Sequence, residues 1–376
     1  MPRLARKTCV DPADVQVLHT VQRCVRRAFL CGEDDVSGKS FEHRRLWIRQ
    51  RLEFLASIFG IDCLTYTVLH NHLHLILRSR ADVVATWSDE AVARRWLRLF
   101  PRRRNKDGSP ATPTQPEIDI IVNQPALLVE KRRRLSDVSW WMKCTCENIA
   151  RRANAEDECT GHFWEGRYKC QVLLDEASLL ACAAYVDLNP IRAAIAQSPE
   201  TSEFTGVKDR LDDFAERSSE TAEAEVDAEV DATTKAAATP KKKTHAWERS
   251  RRRKASGWLS PIEIDETLDV VGADGCEHGR RCSQKGFLRC TLSLYLELLD
   301  WTGRQIREGK RGAIPAHLNP NLTRIGLDAP GWCDLVAKFG KVFKRAAGTA
   351  ESLAEEARRR GVGWIQAPGN PLSTSG

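Results

Sequence analysis

The residue types best suited to chemistry are two histidines, His72 and His74, that lie one residue apart within the apolar run at 68–78. Alternate side chains of a β-strand point to the same face, so a strand here would present both imidazoles on one side of a sheet. Imidazole is the commonest metal-binding side chain, and two on one strand face can bind a single divalent ion. Taken alone, the motif also fits a pair of half-buried strand histidines without a ligand.

A tyrosine and an asparagine, Tyr185 and Asn189, are four residues apart, which is the spacing that places two side chains on one face of a helix. A tyrosine hydroxyl, whose ordinary pKa is about 10, is a weak nucleophile unless its target is polarised. A divalent ion held by His72 and His74 would polarise a phosphodiester for in-line attack by Tyr185. The phosphotyrosine formed in this way would keep the energy of the broken bond, so a strand could later be rejoined without ATP.

Hydrophobic periodicity predicts the elements that must position these side chains. Alternating β-branched and aromatic residues predict strands, and apolar residues that recur about every 3.6 positions predict helices. Ser136 and Asp175 are the predicted N-caps of two of the helices. The order of elements predicts an α+β fold, an antiparallel sheet with helices on one face. The predicted strands are 14–25, 61–69, 68–78 and 161–174, and the helices that accompany them are 41–59, 136–154 and 175–188.

The composition indicates a soluble protein with a polyanionic partner. The net charge is +7, and many of the 58 Lys and Arg residues occur in short clusters, which suits salt-sensitive binding to nucleic acid. Solvated surface charge is the alternative. No apolar run approaches the roughly 18 residues that span a bilayer, and no secretory signal is evident, so we expect a cytoplasmic protein without a membrane partner. The thirteen cysteines are scattered and are expected to be reduced.

Four segments together resemble a known family. In this order and at these separations, they resemble the single-tyrosine HUH transposases and, within them, the REP-associated tyrosine transposases. The resemblance covers about residues 15–197. The segments are the first strand at 21–27, the His-hydrophobic-His pair at 72–74, the glycine-aromatic-Gly-Arg stretch at 161–168 and the Tyr-to-Pro helix at 185–193.

This resemblance implies a function and a set of roles. It implies a ferredoxin-like core and a Mg²⁺ or Mn²⁺ ion bound by His72 and His74. It also implies DNA transposition through single-stranded or hairpin DNA that is cleaved and rejoined by way of a 5′-phosphotyrosine on Tyr185. Asn189 becomes a candidate third ligand, although Asn189-Pro190 is also a suitable start for a second helix at Ile191. The predicted DNA contacts are Arg23, Arg167, Lys169 and Arg192.

One position departs from the family pattern, because His70 stands where the family usually has proline. His70 shares strand parity with His72 and His74 and is a minor candidate for contacting metal or DNA. Two other functions fit the same residues, namely an HUH relaxase or replication initiator, and a catalytically silent protein that only binds repeat DNA. The protein is expected to act as a monomer or a homodimer.

The chain is predicted to have three parts. Residues 1–215 form the HUH single-tyrosine transposase domain, interrupted at about 80–135 by an insertion that contains a helix at 88–99. Residues 216–256 form an acidic and then basic linker, disordered because its acidic half has almost no bulky apolar side chain to bury. Residues 257–376 form a small, mainly helical region of unknown role, with helices at 288–301, 332–347 and 351–360.

Overall fold

The computed structural model has an α+β fold, as the sequence predicts, built around a five-stranded sheet. Both the sheet and its covering helices include parts of the chain that are distant in sequence. The predicted linker at 216–256 lies almost entirely outside the described residues. The structure describes residues 14–25, 30–34, 38–216, 256–265, 279–308, 315, 317–367 and 369–373.

The sheet has the strand order β2-β3-β1-β4-β5. The first four of these strands pair antiparallel, whereas β5 pairs parallel to β4, so the sheet is mixed rather than antiparallel as predicted. The predicted helix at 332–347 is too long, because the backbone becomes extended at Phe343 and residues 346–347 join the sheet. The strands are β1 Val17–Arg23, β2 Ile61–Val68, β3 His72–Ser79, β4 Lys169–Leu173 and β5 Ala346–Ala347.

The helices occur mainly where the sequence predicts them, and the region at 80–135 forms four helices of its own. The helices that precede the predicted linker are α1 His43–Ala56, α2 Ala81–Thr86, α3 Asp89–Leu99, α4 Gln115–Val122, α5 Pro125–Leu135, α6 Val138–Glu156, α7 Glu176–Asp187, α8 Asn189–Arg192 and α9, residues 206–216. Those that follow it are α10 Leu292–Glu308, α11 Asn319–Arg324, α12 Ala329–Val342 and α13 Ala350–Arg359.

Side-chain caps determine where two of the helices begin. The Asp175 carboxylate accepts a hydrogen bond from the Ser178 amide at 2.9 Å, which confirms Asp175 as the N-cap of α7. Helix α6 is capped by Asp137, whose side chain accepts from the Ser139 amide at 2.7 Å, and not by Ser136 as predicted. The Ser136 hydroxyl instead donates a hydrogen bond to the Arg133 carbonyl at 3.2 Å.

Helices cover both faces of the sheet, not one face as predicted. On β1, the Thr20 hydroxyl is 3.5 Å from the Met142 sulfur of α6, whereas the neighbouring His19 ring packs near Tyr185 of α7. Successive strand residues point to opposite faces, so α6 and α7 must lie on opposite sides. Helix α7 is too apolar around its whole circumference for a surface position, and burial against the sheet satisfies that pattern.

The described residues after the predicted linker pack directly against the earlier part of the chain. Strand β5 extends the sheet beside β4, and the Tyr295 hydroxyl of α10 donates to the buried Asp187 carboxylate at the end of α7 at 2.6 Å. Phe339 of α12 packs on Tyr185 with ring centroids 5.7 Å apart. The C-terminal region therefore forms part of the surface around Tyr185.

Candidate active site

A cavity of about 340 Å³ opens on the face of the sheet that carries α7 and α12. Both motif histidines and the candidate nucleophile line it, together with three of the four predicted DNA contacts. The lining residues that matter for chemistry are His72, His74, Tyr185, Arg23, Arg167 and Lys169. The structure thus brings together, within one chain, side chains that are far apart in sequence.

Strand register places the two motif imidazoles side by side on this face. His72 lies opposite Arg23, and His74 lies opposite Val21 of β1. The ring centroids of His72 and His74 are 4.9 Å apart. His74 is only 3% exposed, whereas His72 is half-buried at the cavity edge.

The two imidazoles are held in their neutral form. Burial, together with smaller effects of the nearby charges of Arg23 and Lys169, lowers the pKa of His72 from 6.5 to about 4. Burial also holds the pKa of His74 well below 6.5, with smaller contributions from His19 and His72. A neutral imidazole keeps one ring nitrogen lone pair, which is the form that binds a metal.

Tyr185 lies in the last turn of α7, with its ring nearly perpendicular to the rings of His74 and His19. Its ring centroid is 5.7 Å from that of His74 and 5.9 Å from that of His19. The side chain is partly exposed, and the space beside its hydroxyl is bounded by Gly340 of α12. The phenol is therefore directed to the cavity and not into the core.

Arg192 packs against the Tyr185 ring. Its guanidinium carbon lies 4.6 Å from the ring centroid, within the range of a cation–π contact, and its Nη2 donates to the Ala337 carbonyl at 2.5 Å. Arg192 is predicted to contact DNA, but in the structure it connects α8, the tyrosine ring and α12. Its position is that of a support for Tyr185.

Asn189 approaches His74 closely enough to share a ligand with it. The Asn189 Nδ2 atom is 3.5 Å from His74 Nε2, and the asparagine is 8% exposed. Rotating the amide by 180° brings its oxygen to that position. Two donor atoms that bind one ion at about 2.1 Å lie about 3.0–3.5 Å apart, so this pair has the spacing of two ligands of one cation. Asn189 also opens α8 with Pro190 in its first turn, so both interpretations of the Asn-Pro pair are compatible with the structure.

Among the described residues, no Asp, Glu or Cys side chain joins the two histidines in a metal-binding group. Within the described part of the chain, no three His, Cys, Asp or Glu side chains are arranged to hold a metal ion. Any divalent ion at this site would thus depend on two imidazoles, the Asn189 amide, water and substrate oxygens. Mg²⁺ and Mn²⁺ are bound by such oxygen-rich shells.

Basic side chains line the cavity on the side of the loop that precedes β4. This loop lies alongside the end of β1 and is held there by two hydrogen bonds. The Glu165 amide donates to the Arg23 carbonyl and the Gln22 side-chain amide donates to the Gly166 carbonyl, both at 3.0 Å. Gly166 has φ +153°, a conformation that side chains rarely adopt. This arrangement holds Arg167 and Lys169, both exposed, beside Arg23.

Several residues of the site were not found from the sequence. His19 and Gln171 lie on the same sheet face as His74, and Gly340, Phe343 and Lys344 line the cavity from the C-terminal region. Strand parity could have indicated His19, because residues 19, 21 and 23 of β1 point to the same face of the sheet. His70 lies outside the cavity, where its ring packs against Gly32.

The chain matches no protein-family model, no curated protein and no solved structure. No helix among the described residues is long and apolar enough to cross a membrane.

Proposed function

We propose that this protein is a metal-dependent DNA transposase of the single-tyrosine HUH type, similar to the REP-associated tyrosine transposases. It would cleave single-stranded DNA and rejoin it through a 5′-phosphotyrosine intermediate, at repeats that form hairpins. The observation that carries this proposal is the position of the Tyr185 ring, 5.7 Å from that of His74, in a cavity that also contains His72 and four basic side chains.

The order of the strands supports the ferredoxin-like core that the family resemblance implies. A chain that runs strand, helix, strand, strand, helix, strand forms such a core when its sheet order is β2-β3-β1-β4 and all neighbours are antiparallel. The described strands β1 to β4 have this order and these directions, with α1 after β1 and α6 before β4. Strand β5, the helices α2 to α5 and the helices that follow β4, among them α7, are additions to that core.

His72, His74 and Asn189 are the residues that would hold Mg²⁺ or Mn²⁺. Their fit is supported by the neutral imidazoles and by the 3.5 Å separation between His74 Nε2 and the Asn189 amide. A divalent ion bound there would withdraw charge from a phosphodiester and orient it toward the tyrosine.

Tyr185 is the proposed nucleophile. Its oxygen forms a bond to phosphorus, and the bond from phosphorus to the 3′-oxygen of the preceding nucleotide breaks. The 3′-oxygen leaves as a hydroxyl, so the reaction transfers one proton in net terms from the phenol to that oxygen. Reversal by a different 3′-hydroxyl rejoins the strand and restores the tyrosine.

The other residues of the cavity bind and orient the DNA or the nucleophile. Arg23, Arg167 and Lys169 line the cavity and would hold phosphates of the strand near the reacting one. Arg192 and Phe339 both pack against the Tyr185 ring, which limits the directions in which its hydroxyl can point. Such restriction favours in-line attack, because a fixed approach removes the entropy cost of orientation.

The proposal is tested with oligonucleotides that contain candidate hairpin repeats and their flanking single strands. Wild-type protein is incubated with each oligonucleotide and Mn²⁺, and covalent adducts are separated on a denaturing gel. We expect an adduct that requires metal and is lost in Tyr185→Phe but kept in the matched variant Tyr168→Phe, whose hydroxyl contacts Ser139 away from the cavity. Hairpin binding without any adduct would instead indicate a silent DNA-binding protein.

A further inference from the structure

A buried row of polar side chains lies behind His74. His19 Nε2 is 3.0 Å from His74 Nδ1, and His19 Nδ1 is 3.3 Å from Gln171 Oε1. The three residues come from three adjacent strands, since His19 lies directly opposite Gln171 on β4 and diagonally from His74 on β3. All three border the cavity but are at least nine-tenths buried, so few water molecules can compete for these contacts.

The direction of the hydrogen bonds in this row determines the tautomer of His74. A neutral imidazole has one N–H and one lone pair, and a carbonyl oxygen can only accept. His19 Nδ1 therefore donates to Gln171 Oε1, which leaves a lone pair on His19 Nε2. That lone pair accepts from His74 Nδ1, and the remaining lone pair of His74 lies on Nε2, the atom that faces Asn189.

His72 has an equivalent contact. Its Nδ1 lies 2.6 Å from Asn71 Oδ1, so this nitrogen donates to the asparagine oxygen and the lone pair of the ring lies on Nε2. The two histidines thus reach the same tautomer through different partners. One partner is an exposed neighbour in the chain, and the other is a buried histidine on an adjacent strand.

We propose that His19, supported by Gln171, is a positioning residue that holds His74 in the tautomer able to bind a cation through Nε2, and that Asn71 does the same for His72. Histidines that bind metals almost always donate their second ring N–H to a fixed acceptor, and loss of that acceptor typically weakens metal binding by about 10–100-fold. The cation itself rests on the proposed function, whereas the tautomer rests only on the buried hydrogen bonds.

If the hydrogen bonds of the row ran in the opposite direction, His74 would adopt the other tautomer. If Gln171 offered its NH₂ group to His19, His19 Nε2 would donate to His74 Nδ1 and His74 would carry its proton on Nε2. That nitrogen could then donate to Asn189 but could not bind a cation. An experiment therefore has to measure which ring nitrogen of His74 carries the proton.

The first experiment measures Mn²⁺ affinity from the electron paramagnetic resonance signal of free Mn²⁺. His19→Leu removes the acceptor, and we expect it to weaken Mn²⁺ binding by about 10–100-fold. His19→Gln places an amide oxygen near the position of Nε2, so it is expected to retain most of the affinity. Thr20→Val is the matched control, because Thr20 is buried on the same strand but faces Met142 on the other side of the sheet.

The second experiment reads the tautomer without metal or DNA. In metal-free protein with ¹⁵N-labelled histidine, the ring nitrogen shifts are expected to show the proton of His74 on Nδ1 in the wild type and in Thr20→Val. In His19→Leu we expect that preference to be lost. Thermal melting shows whether each variant is folded, and His19→Gln provides a folded acceptor variant if His19→Leu does not fold.

The outcomes separate this inference from the proposed function. A wild-type His74 with its proton on Nε2 overturns the positioning role, even where the metal-dependent adduct forms. Equal Mn²⁺ affinities for wild type and folded His19→Leu overturn it as well. If His74 has its proton on Nδ1 but the wild type neither binds Mn²⁺ nor forms an adduct, the row is correct as a hydrogen-bond network, while metal positioning and the proposed function both fail.

Discussion

Gly340 lies against the hydroxyl of Tyr185, so close that a Cβ built at position 340 would be 3.0 Å from the phenol oxygen. Gly340 belongs to α12, which follows the predicted linker, whereas Tyr185 belongs to α7 on the sheet. The C-terminal region therefore forms a wall of the cavity next to the proposed nucleophile. A larger side chain at position 340 should therefore contact and displace Tyr185 first.

Replacing Gly340 by Val should displace the Tyr185 ring and slow formation of the covalent adduct. A misplacement of about 1 Å in a reacting group can lower a rate by about 100-fold. We expect the rate to fall by at least tenfold while binding to the hairpin stays close to wild type, as measured by single-turnover adduct formation and by anisotropy. The control is Gly363→Ala, where an added Cβ has nothing within 4 Å. An unchanged rate in Gly340→Val would show that this wall does not constrain the nucleophile.

Replacing Arg192 by Met keeps the apolar stem of the side chain but removes the cation over the Tyr185 ring and the hydrogen bond to Ala337. A cation–π contact is worth about 0.5–1 kcal/mol when exposed, which corresponds to a two- to fivefold effect. We therefore expect adduct formation to slow by about this factor or more, with the Mn²⁺ affinity unchanged. Arg304→Met, on the exposed surface of α10, serves as the control. A loss of DNA affinity without any change in rate would restore Arg192 to the phosphate-contact role that the sequence predicts.

Removing two of the basic side chains of the cavity should weaken DNA binding in a salt-dependent way. Each phosphate contact to a single strand contributes about 0.7 to the slope of log affinity against log salt concentration. The double variant Arg167→Ala and Lys169→Ala is expected to lower that slope by about 1.4. Titrations at several salt concentrations measure it, with Arg304→Ala as a surface control. An unaltered slope would place the bound strand elsewhere on the protein.

The metal-free protein should lose stability as the pH falls from 6.5 to 4. Burial lowers the pKa of His19 from 6.5 to about 4, so in this range the unfolded chain takes up a proton that the folded protein does not. The pKa difference corresponds to a loss of up to about 3 kcal/mol, which is complete near pH 4 and absent above 6.5. Urea unfolding at several pH values measures the loss, and His19→Gln should show a shallower pH dependence. Identical curves for the two proteins would contradict a buried neutral His19.

The parts of the fold that follow from local pattern could be predicted from the sequence. Alternation around His72 and His74 predicted β3 and the shared face of the two rings, and the Asp175 cap predicted the start of α7. Tyr185 and Asn189 both lie near His74 although they belong to successive helices, since α7 ends at Asp187 and α8 begins at Asn189.

The remaining features depend on contacts between distant parts of the chain, which periodicity does not encode. Ala346 and Ala347 form a strand only because β4 offers an unpaired edge, and nothing in their own composition favours a strand. Strand parity can place His19 on the face that carries Arg23, but only the register places it between Gln171 and His74. In the same way, no local signal in α12 indicates that Gly340 and Phe339 would border Tyr185.

The most direct test of the central claim is to identify the residue that becomes attached to DNA. The adduct formed with Mn²⁺ and a hairpin oligonucleotide is digested with nuclease and protease, and the modified peptide is sequenced by mass spectrometry. We expect a 5′-linked nucleotide on Tyr185, formed in the presence of Mn²⁺ and absent with EDTA or in His74→Ala. A nucleotide on any other residue, or an adduct that forms equally well with EDTA, would contradict the account.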